Sequence, residues 1–378
     1  MNKFRHKVFC GLEGLLEFYD IWNRTVQEDE ETDITHHPIW YKVFFSTVEK
    51  NSHHFYFITL WEDENKLLAV VPLKTSLFKY FGISLKSIEL PFHEELNYRD
   101  IYINKQADKD EIVKQIWEVL YSFNQKWDVF VCLYYHSPSY LSGLLNSFPG
   151  KFKLAKESSR IDYIESSGYQ ALMDSKSKKF CRNLSRLDRK IHSEKKVDFI
   201  YEETEGTVNN LFYSFLELEA SGWKGKKGKC SAILCNRDLT DYYIGLMNEK
   251  DTGLKFDVNI LKADNNCIGG LLGVIYKDLH YSIKIAYNQD YCEFSPGQIL
   301  YNYSLKRHLD DMSLKSSNFM SGFNWQIPWR TGFFPTYNGM FFKNSAKAFF
   351  VFLLVISVCK LKMLSDKIKP ILKKENQN

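Results

Sequence analysis

Two short segments of this 378-residue chain carry residue types that could move a proton or bind an anion. The first is LELEASGWKGKKGK, residues 216–229, where a helix ends near Glu217 and Glu219 and is followed by Trp223 and Lys224. A glutamate beside an aromatic ring can act as a general base when burial raises its pKa. We therefore expect Glu217 to be a candidate base, and Trp223 and Lys224 to contact a substrate. An ordinary helix C-terminus remains the alternative for this segment.

The second segment is Ser295-Pro296-Gly297-Gln298, which opens a predicted helix directly after a predicted strand. The first N–H groups of a helix lack intrahelical partners, and the helix dipole is positive at that end. Such a terminus suits a pyrophosphate. Many helices begin in this way, so the motif is not specific by itself.

A basic helix is predicted over residues 176–192. Its apolar stripe has helical spacing and consists of Phe180, Leu184, Leu187 and Ile191. Its opposite face carries four cations, Lys178, Arg182, Arg186 and Arg189. Two interpretations stay open for this face: a solvated surface, or a wall that binds an anionic group, for which guanidinium is well suited.

Composition excludes several classes of protein. Gly and Pro total 28 residues and 44% of the chain is hydrophobic, so collagen-like and disordered chains are excluded. Residues 360–378 hold six Lys against one Asp and one Glu, and the remaining 44 basic and 44 acidic residues cancel. Nucleic acid is therefore not an expected general partner. The eight Cys are scattered without a C-x-x-C pair, so we expect free thiols and no metal site.

The order of elements predicts an α/β (α+β) fold with an internal repeat. Residues 55–75 read as a strand, a polar turn and a second strand. Residues 256–276 repeat this pattern at an offset of 201, with four identities in twenty-one positions. Further strands are expected at 99–104, 128–135 and 279–288, and helices at 10–28, 108–127 and 297–309. The repeat favours a duplicated domain.

Taken together, these motifs resemble a known family. They are Ser175-x-x-Lys178-x-x-x-Arg182-Asn183-Leu184, the Glu217 to Gly225 segment, the hairpins, and Ala286-Tyr287-Asn288 leading to Ser295-Pro296-Gly297. They look like the GNAT-superfamily acyltransferases of the CelD-like, cellulose-biosynthesis type, which are related to the Fem-type peptidyltransferases. The resemblance implies two tandem GNAT-like domains, each a mixed, mostly antiparallel sheet flanked by helices, at residues 1–160 and 161–345. A C-terminal apolar and basic helix follows at 346–378.

The resemblance also implies an activity, which is N- or O-acyl transfer to a sugar or amino sugar in surface-polysaccharide synthesis. The implied donor is acyl-CoA, with acetyl-CoA expected first, and no metal is implied. The acyl group would lie in a gap beside strand 279–288. The acceptor would lie in the interdomain cleft, walled by Lys178, Arg182 and Asn183, with Asp100 and Glu217 as candidate bases. The implied site residues fall into three groups. Catalytic candidates are Glu217, Asp100 and Tyr287; cofactor-binding candidates are Ser295, Gly297 and Gln298; substrate-binding candidates are Lys178, Arg182, Asn183, Trp223, Lys224 and Arg330.

One position departs from the family pattern. Trp329-Arg330 stands where the family has Tyr-Lys, and because Arg does not deprotonate, only a binding role for an anionic group is expected there. Two other functions stay open. One is a Fem-type transfer from aminoacyl-tRNA, the only case with a nucleic-acid partner, and the other is a non-catalytic scaffold at a membrane surface.

The C-terminal residues 348–359, AFFVFLLVISVC, are apolar but too few to span a bilayer as a helix. Two interpretations remain. The helix packs on the protein through Phe349, Phe352, Leu353 and Ile356, or it lies on an anionic membrane, to which the lysines within 348–374 are attracted. The N-terminus lacks an apolar signal segment, so we expect a cytoplasmic protein, at the inner membrane face in the second case and meeting a lipid-linked sugar there.

Overall fold

A computed structural model describes residues 4–80, 82–91, 93–96, 100–225, 228–312 and 314–358. Within these residues, thirteen strands form one mixed sheet that is covered by helices on both faces. The strands lie in the order β1-β2-β3-β4-β6-β13-β7-β12-β11-β10-β9-β8, and β5 pairs with β3 beside this path. The predicted α/β architecture is confirmed.

The strands have the following bounds. They are β1 Arg5–Cys10, β2 Phe55–Trp61, β3 Leu67–Tyr80, β4 Ile83–Glu89, β5 Tyr102–Ile103, β6 Val129–His136, β7 Phe152–Glu165, β8 Val197–Thr204, β9 Leu254–Ala263, β10 Asn266–Tyr276, β11 Leu279–Tyr287, β12 Ser316–Asn318 and β13 Gly332–Phe342.

The α-helices alternate with these strands. They are α1 Gly11–Leu16, α2 Tyr19–Glu28, α3 Ile39–Thr47, α4 Lys109–Ser122, α5 Tyr140–Asn146, α6 Tyr169–Asp174, α7 Lys178–Glu194, α8 Asn210–Ser221, α9 Arg237–Asn248, α10 Pro296–Lys306 and α11, residues 346–358. A π-helical turn, Arg307–Asp311, continues α10, and short 3₁₀ turns occupy Ile34–His36, Ile233–Cys235, Gln289–Phe294 and Asn324–Gln326.

The same strand pattern occurs twice in the sheet. In the N-terminal half, β1 to β4 are antiparallel neighbours and β4 is parallel to β6. In the C-terminal half, β8 to β11 are antiparallel neighbours and β11 is parallel to β12. The predicted hairpins, β2–β3 and β9–β10, occupy equivalent positions in the two patterns. The topology therefore shows the duplication that the weak sequence repeat indicated.

Two long strands join the halves. β13, near the end of the chain, lies between β6 of the N-terminal half and β7, and β7 in turn pairs with β12. The boundary expected between residues 160 and 161 falls inside β7. Because β13 adds to the N-terminal half, each half of the sheet is completed by strands that are distant in sequence.

Helix α11 packs on the N-terminal half of the sheet through one side only. Ala348, Val351 and Val355 are buried against β4, β6 and β13. Of the residues that the first interpretation placed in the contact, Phe349 and Phe352 meet the Phe152 ring, with centroids 4.8 Å and 5.3 Å away. Leu353 is instead 44% exposed, Phe349 is still 41% exposed, and Phe350 is 55% exposed. The partner surface is also the N-terminal half, where the sequence favoured the C-terminal domain. Residues 359–378, which hold the basic tail, lie outside the described residues.

Candidate active site

A gap opens in the sheet between β11 and β12. These parallel strands pair at only three positions, Leu279–Ser316, His280–Ser317 and Tyr281–Asn318. Beyond them the chain after β12 leans towards β7, because Phe319 N–H donates to Asp162 O and Asp162 N–H donates to Ser321 O. The edge of β11 from Ser282 to Tyr287 therefore faces a cavity of about 470 Å³.

A β-bulge lies at the point where this gap begins. Ser282 pairs with Gly273 and Lys284 pairs with Leu272, so Ile283 is the extra residue on β11. A bulge leaves its extra residue outside the ladder and re-aims the neighbouring groups. Ile283 lines the cavity, and its N–H is a candidate donor to a negatively charged oxygen in the gap.

Helix α10 starts beside the same strand. Ser295 precedes it in a left-handed conformation, with φ of 52°, and its side chain does not cap the helix. The first turn contains no acidic residue. A Cβ placed on Gly297 would meet a single atom, Ile285 Cδ1 at 4.0 Å, so the space in front of this residue is open. The N–H groups of Ser295 and Gln298 already donate, to Cys292 O and Ser295 O respectively. The open approach to a phosphate therefore lies at Gly297.

Two buried carboxylates with lysine partners stand at the other end of the gap. Glu219 Oε1 lies 3.0 Å from Lys224 Nζ, and Glu219 Oε2 accepts a hydrogen bond from Ile233 N–H. Glu95, from the N-terminal half, lies 3.0 Å from Lys284 Nζ. Trp223, Lys224 and Lys284 also line a second cavity of about 480 Å³. The gap thus continues into an entrance that both halves of the protein build.

The catalytic candidates from the sequence lie in three different places. Glu217 is exposed on α8 and is absent from the lining of the gap, whereas Glu219, two residues later, is 3% exposed and lines it. Tyr287 lines the gap at the end of β11. Asp100 is 4% exposed in a different cleft, between the two halves. Of these three candidates, the structure brings only Tyr287 to the gap.

A sequence signal for Glu219 existed. Phe212, Phe215, Leu216 and Glu219 follow the i, i+3, i+4, i+7 spacing of a buried stripe, so Glu219 is the acid on the apolar face of α8. Glu217 lies off that stripe. Glu95 has no comparable local signal, because a tertiary contact with Lys284 across 189 residues places it.

Asp100 has several partners that fix its position. It accepts hydrogen bonds from the N–H groups of Tyr140 and Leu141 at the start of α5, and its Oδ2 lies 3.4 Å from His36 Nε2. Burial alone would lower the pKa of His36, but the Asp33 carboxylate and Asp100 outweigh it and raise that pKa to about 10. Asp100 therefore holds an imidazolium and a helix end, which is a structural task.

The basic helix α7 lies along the outside of the C-terminal half. Lys178, Arg182 and Asn183 are exposed, and Arg182 Nε donates to Lys178 O within the helix. The indole of Trp329 lies between the first turn of α7 and the start of α10. It contacts the Phe180 ring and donates to Gln298 Oε1 at 2.8 Å.

Arg330 already has an anionic partner. Its Nη1 lies 2.8 Å from Oδ1 of Asp162, and Arg160 Nε contacts the same oxygen at 2.9 Å. Asp162 is fully buried. A substrate anion would therefore have to compete with Asp162 for Arg330.

A buried polar network lies beneath the root of the gap. Asp257, His280 and His308 bring their ligand-type atoms within 4.8 Å of one another. The Arg307 guanidinium lies 2.9 Å from Asp257 Oδ1, so a cation already neutralises this carboxylate. Burial alone would raise the pKa of Asp257, but His308 and His280 outweigh it and hold that pKa below its usual range. A Cβ on Gly273 would lie 2.2 Å from His280 Nε2, so the network requires glycine there.

Comparisons with known proteins agree with this geometry. Residues 178–322, which include α7, the gap strands and α10, match the family model of an acetyltransferase (GNAT) domain. No curated protein matches the sequence. The C-terminal half of the chain therefore contains a domain with the GNAT fold.

Two solved structures share the fold of nearly the whole chain. One is the C-terminal domain of a putative lysylphosphatidylglycerol synthetase from Agrobacterium fabrum, with a TM-score of 0.51 and 10% identity over 92% of this chain and 96% of that one. The other is FemX, with a TM-score of 0.53 and 10% identity over 86% of this chain and 96% of that one. At 10% identity, this likeness shows a shared fold alone.

Proposed function

We propose that this protein is an acyl-CoA-dependent acyltransferase, with acetyl-CoA as its simplest donor. The observation that carries the proposal is the gap between β11 and β12 next to an uncapped helix start. The pyrophosphate of CoA would lie at Ser295, Gly297 and Gln298, and the thioester would enter the gap along β11. Among the residues that the structure describes, the C-terminal half is the one that combines a gap with a helix start free of acidic residues.

The residues around the gap suggest how the reaction proceeds. The acceptor amine or hydroxyl attacks the thioester carbonyl, and the Ile283 N–H stabilises the oxyanion that forms. Glu219 is the carboxylate in reach of the acceptor and can take its proton. The CoA thiolate then leaves, and the hydroxyl of Tyr287 at the mouth of the gap is a candidate to protonate it.

The acceptor in this proposal is a sugar or amino sugar of a surface polysaccharide, free or lipid-linked. The half-exposed Trp223 ring offers a flat surface beside Lys224 and Lys284, which suits a sugar ring. The CelD-like resemblance supports the same class.

Thermal unfolding with acyl-CoA tests the proposal. A ligand that binds only the folded state stabilises it by about 2.7 kcal/mol at a hundred times its Kd. We expect acetyl-CoA to raise the melting temperature. Dephospho-CoA, which has no acyl group but keeps the pyrophosphate, should raise it as well. A melting curve that no acyl-CoA moves at about 1 mM would remove the basis of the proposal.

One observation favours a second candidate, transfer from aminoacyl-tRNA. The cations of α7 are exposed on one face of a rigid helix and could contact a phosphate backbone. In that case Arg182→Ala would weaken tRNA binding and lower its salt dependence. Under the first proposal the same variant binds tRNA no more weakly than the wild type, and only binding of an anionic acceptor falls, by about tenfold.

We also propose a peripheral location at an anionic membrane surface. The exposed side of α11 carries Phe349, Phe350 and Leu353, and the lysine-rich residues follow it in the sequence. In the described part of the chain, no helix has the length and apolar character needed to cross a bilayer.

A further inference from the structure

A separate cavity of about 610 Å³, here called the interdomain cleft, lies between the two halves of the protein. The N-terminal half supplies most of its lining, from the loop 31–36, the start of α4, the end of β6 and the start of α5. The C-terminal half supplies Tyr281, Asn318 and Met320. No step of the proposed acyl transfer uses this cleft.

The cleft and the gap share two strands but have separate walls. On β11, Tyr281 lines the cleft and the next residue, Ser282, lines the gap. After β12, Met320 lines the cleft and its neighbours Phe319 and Ser321 line the gap. A ligand in the cleft would therefore contact the strands that carry the gap without occupying it.

The charge of the lining selects against phosphates. Four carboxylates line the cleft, those of Glu31, Asp33, Asp100 and Asp110. Asp33 and Asp100 are engaged by His36 and by backbone N–H groups, so Glu31 and Asp110 are the two that a ligand would meet. Lys109 is the lysine in the lining, and it already lies 3.5 Å from Glu31. The imidazole of His36 is held between Asp33 and Asp100. A nucleotide would be repelled here, whereas an ammonium group would be attracted.

The remaining lining suits a ring with hydroxyl groups. Tyr134, Tyr140 and Phe334 provide aromatic surface, and the Tyr134 ring is 49% exposed. Aromatic faces attract cations and also cover the apolar side of sugars. Tyr281 also lines the cleft but is only 2% exposed, and its hydroxyl lies against the backbone of Ile34.

We propose that the interdomain cleft binds an amino sugar, a polyhydroxylated ring with a free ammonium group. The Glu31 and Asp110 carboxylates hold the ammonium, and the tyrosine rings cover the sugar face. The ligand is a free monosaccharide or the remote end of a longer acceptor whose other end reaches the gap.

Titration calorimetry at low salt tests this site with glucosamine as the probe and N-acetylglucosamine, which lacks the charge, as the comparison. We expect glucosamine to bind at least about tenfold more tightly. The double variant Glu31→Gln, Asp110→Asn should lower its affinity about tenfold, and because both residues are exposed, the melting temperature should stay unchanged. Glu64→Gln, in an exposed turn away from the cleft, is the matched control and should bind as the wild type does.

Three outcomes would overturn the proposal. They are the absence of glucosamine binding up to about 20 mM, equal binding of the two sugars, and binding that survives the double variant but is lost in Glu219→Gln, which would place the sugar in the gap. Acetyl-CoA titrated into the same samples reports separately on the acyltransferase proposal. Glucosamine oligomers that bind more tightly than the monomer identify the ligand as an extended acceptor, and equal affinity identifies a separate monosaccharide.

Discussion

At the scale of single residues, the environment of a carboxylate decides what it can do. Glu219 is buried, faces Lys224 and borders the gap. Glu217 is exposed and lies near Cys267, where burial and the charge of Glu217 both raise the pKa of the thiol. A base must be within reach of the proton that it removes, so its position comes before its acidity. The chain offers both residues on one helix, which makes them a matched pair.

We predict that Glu219→Gln lowers kcat about a hundredfold or more, as expected for loss of a general base. Gln keeps an oxygen for the Ile233 N–H, so the melting temperature should fall only slightly. Glu217→Gln should change kcat less than about twofold. Release of the CoA thiol with an amino-sugar acceptor measures both rates. If the two variants lose activity equally, Glu219 is not the base.

Gly297 gives a second prediction at this scale. Val at this position has room in the folded protein, because a Cβ would contact only Ile285 Cδ1 at 4.0 Å. Its methyl groups would, however, occupy the space where the pyrophosphate approaches. We expect Gly297→Val to weaken acetyl-CoA binding by about tenfold or more while the melting temperature without ligand changes little. Unchanged acetyl-CoA affinity, measured by calorimetry, would place the phosphates elsewhere.

At the scale of elements, two equivalent helices show why the halves differ. Both α4 and α10 follow the fourth strand of their repeat. Asp108 caps α4 by accepting from the N–H groups of Asp110 and Glu111, and both of these residues are acidic. The start of α10 has neither a side-chain cap nor an acid. The charge at the start of α10 therefore does not oppose a phosphate, whereas the acids at the start of α4 do.

Local elements could be predicted well and their assembly could not. Periodicity placed β6, α7, β11 and α10 within a few residues, because apolar spacing is a local property. β13 was missed because Pro335 and Gly339 interrupt its pattern, and such residues argue against a strand. The insertion of β13 beside β6 also depends on contacts across two hundred residues, which no local pattern encodes. The position of Glu95 at the gap was missed for the same reason.

The 3₁₀ turn Ile34–His36 makes stability at the interdomain cleft depend on pH. The pKa of His36 rises from about 6.5 in unfolded chains to about 10 in the fold. A raised pKa means that the folded state binds the extra proton, so the stabilisation is complete below about pH 6.5 and is lost as the pH rises towards 10.

We therefore predict that the unfolding free energy of the wild type falls between about pH 7 and about pH 9, by up to about 1.4 kcal/mol per pH unit. The urea midpoint should fall over the same range. His36→Gln removes the titrating group and should be less stable at neutral pH with a flatter profile over this range. Parallel profiles for the two proteins would mean that His36 does not carry the proton.

At the scale of the whole molecule, one sheet unites two GNAT-like halves that share a topology but differ in chemistry. The C-terminal half holds the gap. The N-terminal half supplies Glu95 to its entrance and most of the interdomain cleft, and its sheet supports α11. Duplication thus provides the cleft in which we propose that an amino sugar binds, and a sheet surface on which the C-terminal helix packs.

The last prediction concerns this platform and the membrane. The two sides of α11 have different tasks, so substitutions on each side separate them. Phe350→Ser with Leu353→Ser removes exposed apolar surface and should leave the melting temperature unchanged, but the protein should no longer sediment with anionic vesicles at low salt. Val351→Ser, at a fully buried position, should instead destabilise the fold by about 1–3 kcal/mol.

Removal of residues 359–378 should also abolish vesicle binding, because each lysine near an anionic surface contributes about 1 kcal/mol and the deleted segment holds six. Binding of the intact protein should weaken as salt shortens the Debye length to about 8 Å at physiological ionic strength. Neutral vesicles are the control and should sediment without the protein. If the full chain stays in the supernatant with anionic vesicles at low salt, α11 serves only to cover the N-terminal half of the sheet.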